Sequence, residues 1–159
     1  MRIGTAVSKS EAPNFDQEIG GHRYLLLSIH PQYAELILSG AKRVELRRRM
    51  DTKIAGCQML IYATLPVGAV IGRAVVDRVR LLPIQELWSE FGSSSAVPHA
   101  DFFSYYSGLT HGYAVELGGV SRYRSPVPLG DLRRIHGISP PQSYRFLDPD
   151  HSLAHHERN

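Results

Sequence analysis

The chain has 159 residues, 43% of them hydrophobic and 21% charged, with a formal net charge of +3. That length suits one domain with its own core, and the composition is that of an ordinary globular protein. The mild positive charge permits an anionic partner without demanding one. A single cysteine, Cys57, excludes an intramolecular disulfide and a cysteine-built zinc site.

Residues 1–22 carry Pro13, Gly20 and Gly21 and no hydrophobic period, and they read as a loosely attached arm. No apolar h-region or membrane-length run occurs, so a cytoplasmic protein without a membrane contact is expected. YLLLSI at 24–29 is a nearly continuous apolar run of strand length. Pro31 then opens a helix, with Tyr33, Ala34, Ile37 and Leu38 at helical spacing and Gly40 as its stop. The strand at 43–48 follows, with Val44 and Leu46 alternating against Arg43, Glu45 and Arg47. Alternate strand residues face opposite ways, so one face is apolar and the other sets a carboxylate between two guanidiniums. Five of the eight residues from 42 to 49 are basic.

After a loop, 57–63 reads as a second buried strand with Cys57 in the core. The run 69–80 is long and β-branched, and Gly72 inside it predicts a bulge or bend. Short helices are expected at 83–91 and 98–107, separated by a Gly/Ser loop at 92–97. A strand at 111–123 carries Gly118 and Gly119 as a turn or bulge. A brief helix at 129–135 and the segment SPPQSYRFL close the ordered chain, and the polar residues 148–159 read as a frayed tail. The expectation is one α+β domain over 23–147, a strongly bent sheet or barrel.

Lys42 lies at the helix-to-strand turn. There it could bind phosphate or act as a desolvated nucleophile, or it could be an exposed lysine complementing the helix dipole. Glu45 and Arg47 share a strand face, as groove residues or as a structural ion pair; Arg47 suits bidentate phosphate or base contacts. Gln142 and Ser143 offer donors and acceptors and Tyr144 a stacking ring, unless the segment only seals the core. Tyr62 and Thr64 end a buried strand where polar tips could reach a site. The histidines are scattered, no HExxH occurs, and no metal or other cofactor is expected.

LLLSIHPQYAELILSGAKRVELRRR resembles the opening of an ASCH domain, a branch of the PUA-like superfamily: strand, helix, Gly-x-Lys turn at Gly40–Lys42, then a charged strand. IYATLPVGAVIGRAVVDRV resembles the middle of that domain, and GYAVEL and PPQSYRFL its end, over roughly 24–147. The resemblance implies a PUA-like mixed β-barrel of about five to six strands with short flanking helices. It also implies a role with RNA or a nucleotide. Some relatives are enzymes: a ribonuclease, and an amidohydrolase of an acylated cytidine that uses the turn lysine and a threonine three residues on. Here Lys42 matches, but Glu45 holds the threonine's place. The resulting expectation is single-stranded RNA or a nucleotide in a basic cleft, with Lys42, Arg47 and Arg48 drawing phosphate, Glu45 and Gln142 reading a base, and Tyr144 or Tyr62 stacking. The alternatives are an enzyme of RNA or modified nucleosides using Lys42 and Glu45, and a small-molecule or protein-interaction domain.

Overall fold

The computed structural model describes residues 24–157, so the expected arm at 1–22 lies outside the described residues. β1 (Tyr24–Ile29) runs parallel to β3 (Gln58–Ala63) on one side and antiparallel to β6 (Tyr144–Leu147) on the other. A parallel pair needs a long crossover, and α1 (Pro31–Leu38) and β2 (Val44–Arg47) lie within it. β3 then pairs with β4 (Ala69–Pro83), β4 with β5 (His111–Pro128), and β5 with β2. The order is β2-β5-β4-β3-β1-β6.

The unbroken apolar run of β1 is explained by burial on both faces. Leu25, Leu27 and Ile29 join Ala34 and Ile37 of α1, Met59, Ile61 and buried Cys57 in one core cluster. Tyr24 and Leu26 point the other way, to Leu60, Tyr62, Tyr123 and Leu132. A third cluster joins Val44 and Leu46 of β2 to Leu87 and Phe91 of α2 (Ile84–Ser95) and to Phe102 and Tyr106 at α3 (His99–Tyr105).

Two glycines carry the bend. Gly40 adopts φ +83°, the left-handed conformation that ends α1. Gly72 is packed so closely that an added Cβ would lie 2.7 Å from Leu38 Cδ2 and 2.5 Å from the Ser121 carbonyl oxygen. The register slips on both sides of β4 at this point, between Val70 and Gly72, as the glycine suggested.

Three expectations are corrected. The sheet does not close into a barrel: among the described residues its edge strands β2 and β6 share no ladder. Arg47 on edge strand β2 reaches across instead, donating to the Ser28 carbonyl of β1 and to Ser143 Oγ just before β6. The Gly/Ser stretch is not a loop, because α2 continues to Ser95. Gly92 gives room there for the Trp88 ring, which would lie 2.8 Å from a Cβ at that position. Nor is the C-terminal stretch frayed. Residues Ser152–His155 form a 3-10 turn whose Leu153 and Ala154 are fully buried in the second cluster. α4 (Leu129–Arg134) packs beneath it through Leu132.

Candidate functional site

β2 builds the site by alternation. Val44 and Leu46 point into the third cluster, which leaves Glu45 and Arg47 on the opposite side of the strand. A cleft of about 290 Å³ opens there, walled by Tyr33 of α1, Glu45, Leu46 and Arg47 of β2, Val97, and Asp101, Phe102 and Tyr105 of α3. A second depression of about 340 Å³ adjoins it, sharing Arg47 and Tyr105 and adding Arg48, Arg49, Leu109 and Ser143.

The charges are not on a solvated face. Glu45 is 8% exposed, and its Oε1 lies 3.6 Å from Arg47 Nε. Its Oε2 is buried with no hydrogen-bond partner among the described residues, and neither does Arg47 Nε have one. A buried acceptor left in this state costs folding free energy of about 1–3 kcal/mol. Arg47 is held from two further directions, at 2.9 Å by the Ser28 carbonyl and at 3.3 Å by Ser143 Oγ. Arg48 and Arg49 are exposed beside it.

Lys42 is neither an exposed helix-end lysine nor part of the cleft wall. It is 2% exposed, and its Nζ donates to the Ser95 carbonyl at the end of α2, 2.6 Å away. The same nitrogen lies 5.0 Å from the centroid of the Tyr33 ring, a cation–π contact. Burial pulls its pKa below the ordinary lysine value, while the Glu45 carboxylate works against that shift. Lys42 therefore ties α2 to the turn after α1 and sits behind the cleft. Tyr105 and Tyr106 reach back to β2 through their hydroxyls, at 3.5 Å to the Leu46 carbonyl and 3.3 Å to the Arg47 carbonyl. Burial raises the pKa of both phenols.

Of the residues singled out in the sequence, Glu45, Arg47, Arg48 and Ser143 come together around the two depressions. Tyr62 does not join them: it is buried in the second cluster on the other side of the sheet. Thr64 is half-buried and caps the end of β3, its carbonyl accepting from Val67 and Gly68. Gln142 is exposed and lines neither depression, and Tyr144 packs against the first cluster beside Phe146. Sequence reasoning missed the aromatic walls. Tyr33 and Tyr105 were legible only as helical spacing and as one ring of an aromatic row. Among the described residues no group of three or more His, Cys, Asp or Glu is placed to hold a metal ion. None of the described helices is long and apolar enough to cross a membrane.

This α+β sheet, with a charged strand and two helices enclosing a small cleft, is the architecture of a known family. The family model described as ASCH domain matches residues 27–121, and the chain belongs to that family. An ASCH domain-containing ribonuclease of Zymomonas mobilis subsp. mobilis is 31% identical over 131 residues, covering 82% of this chain and 88% of the relative. The crystal structure of ASCH from Zymomonas mobilis superposes with a TM-score of 0.78 at 30% identity, over 82% of this chain and 92% of that one. The N-terminal domain of Staphylothermus marinus McrB shares the fold at 14% identity, with a TM-score of 0.53 over 87% of this chain and 95% of that one.

Proposed function

We propose that this protein binds single-stranded RNA, drawing one nucleotide into the cleft between β2 and α3 while the neighbouring phosphates lie on Arg48 and Arg49. The observation that carries this reading is the adjacency of the two depressions: an aromatic-walled cleft lies beside a row of arginines, with Arg47 and Tyr105 lining both. Splayed single-stranded bases stack on aromatic side chains, and arginines neutralise the backbone, so the two halves suit the two halves of a nucleotide. Lys42 contributes by position rather than contact, because its ammonium is turned to Ser95.

The 31%-identical relative named a ribonuclease favours a second reading of the same cleft, that RNA is cut there. Glu45 would accept the proton of a ribose 2′-hydroxyl as that oxygen attacks the adjacent phosphorus. The bond to the 5′ oxygen then breaks, and water protonates the leaving oxygen. An amidohydrolase reading is weaker. Its turn lysine is buried here, and a carboxylate stands where that chemistry uses a hydroxyl.

Fluorescence anisotropy of labelled single-stranded RNA across salt concentrations tests the binding. Affinity is expected to fall linearly in log salt. Replacing Arg48 and Arg49 with Ala flattens the slope by about 0.7 for each phosphate contact removed. A gel of the same RNA tests cutting, with a 2′,3′-cyclic phosphate end expected from wild type and none from Glu45→Gln. RNA that neither binds nor is cut would overturn both readings.

A further inference from the structure

We propose that the base taken into the cleft is guanine, recognised by the Glu45 carboxylate. This inference rests on the RNA reading above and adds the base to it. Glu45 lines the cleft and is more than nine-tenths buried, its Oε2 has no hydrogen-bond partner among the described residues, and its Oε1 has the 3.6 Å ion pair with Arg47. Arg47 is tied to Ser28 and Ser143, which holds the strand and its carboxylate in place. The terminal torsion of a glutamate is broad, so the carboxylate plane can turn to bring both oxygens to the opening.

A carboxylate only accepts hydrogen bonds, and its two oxygens accept best from two donors side by side. On the Watson–Crick edge, guanine alone offers that pair, N1–H beside the N2 amino group. Adenine and cytosine set a ring-nitrogen acceptor next to their amino group, so one carboxylate oxygen would face a lone pair. Uracil places its single N3–H between two carbonyls. Each of these three bases would bring an acceptor against the buried Glu45 carboxylate, and an unsatisfied buried polar group discriminates strongly. Tyr33 and Tyr105 supply ring surface for the base, and Asp101 lines the same opening without adding a donor.

The test uses the full chain and calorimetric titration with 5′-GMP, 5′-IMP, 5′-AMP, 5′-CMP and 5′-UMP. GMP is expected to bind about tenfold or more tightly than AMP, CMP or UMP, the discrimination typical of one good bidentate pair. IMP, which lacks only the 2-amino group, should lose about tenfold against GMP, and this comparison needs no variant to fold. Glu45→Gln exchanges one acceptor for a donor and should narrow the gap between GMP and AMP. A parallel arm compares an all-uridine hexamer with one carrying a single central guanosine. Tighter binding of the guanosine oligomer places the guanine in RNA, whereas selective GMP binding with no difference between oligomers places it in a free nucleotide. Mononucleotides binding within about threefold of one another, with RNA still bound, would overturn guanine recognition alone. No nucleotide and no RNA bound would overturn the RNA reading beneath it.

Discussion

Glu45 and Glu157 mark two regions that treat the same side chain in opposite ways. Glu157 ends the described chain, and both its oxygens are used: Oε1 accepts from Arg124 N–H and Oε2 from Ser125 N–H, each at 2.8 Å. Around it His156 Nε2 pairs with the Ser125 carbonyl, His136 with Ser152 Oγ, and Arg73 with the His156 carbonyl. These contacts fasten the C-terminal segment to β4, to β5 and to the turn after α4. In the β2 cleft a buried carboxylate oxygen and a buried guanidinium nitrogen, both ionic groups, are left without hydrogen bonds, whereas beside the C-terminal segment the one such atom among the described residues is the neutral Tyr123 hydroxyl. Native proteins rarely tolerate such groups, and where they occur a ligand is a physical reason for them. The difference teaches where to look: the histidine-rich end is a fastening, and the cleft is the candidate site.

The largest expected effect falls on the fastening. Leu153 is fully buried, so Leu153→Ala should lower the unfolding free energy by about 3 kcal/mol in urea titration. A change near zero would restore the frayed tail that composition suggests and erase the contrast. Lys42→Met comes next. It keeps much of the stem volume but leaves the Ser95 carbonyl without its charged donor, at a cost of about 2 kcal/mol. Full stability in this variant would mean that the lysine is free to serve the cleft directly.

The smallest effect is in pH, and it sharpens the comparison by region. His136 and His151 both have their pKa lowered, by burial first and then by neighbouring cations, His151 and His156 for the one and Arg145 for the other. The unfolded chain therefore binds protons more readily than the folded one as pH falls through about 6.5 and below, and stability must fall with it. Glu157, held ionised chiefly by the Ser125 N–H, adds a loss at still lower pH, below the ordinary carboxylate value. His136→Asn should weaken the first of these dependences in thermal melts between pH 5 and 7. An unchanged pH profile would show that the histidines do not sense the docked segment. Lys42 works in the alkaline range. Its lowered pKa makes stability rise as pH climbs from the folded value towards that of a free lysine.

The sequence made legible what depends on local period. β1, α1, the turn at Gly40 and the paired placement of Glu45 and Arg47 follow from alternation, helical spacing and one glycine. It hid what depends on tertiary partners. Leu153 is one large apolar residue in a polar stretch, with no period to announce its burial. Gly92 and the serines after it have poor helix propensity, yet the Trp88 ring and the Lys42 contact to Ser95 keep them helical. Of the aromatic row at α3, Tyr106 belongs to the core alone, Phe102 to both core and cleft wall, and Tyr105 to the cleft, a division that needs the helix's orientation. Tyr62 was misplaced for the same reason: a strand end has two faces, and only the packed sheet decides between them.

The central claim is that the β2 cleft, and not the exposed Arg133 and Arg134 of α4, receives RNA. Ultraviolet cross-linking of single-stranded RNA to the full chain, followed by mass spectrometry of the peptides, tests it most directly. The account predicts adducts on Tyr33 or Tyr105, lost when the RNA is competed by unlabelled strand. Adducts confined to the 129–135 segment, with Tyr33 and Tyr105 unmodified, would contradict it.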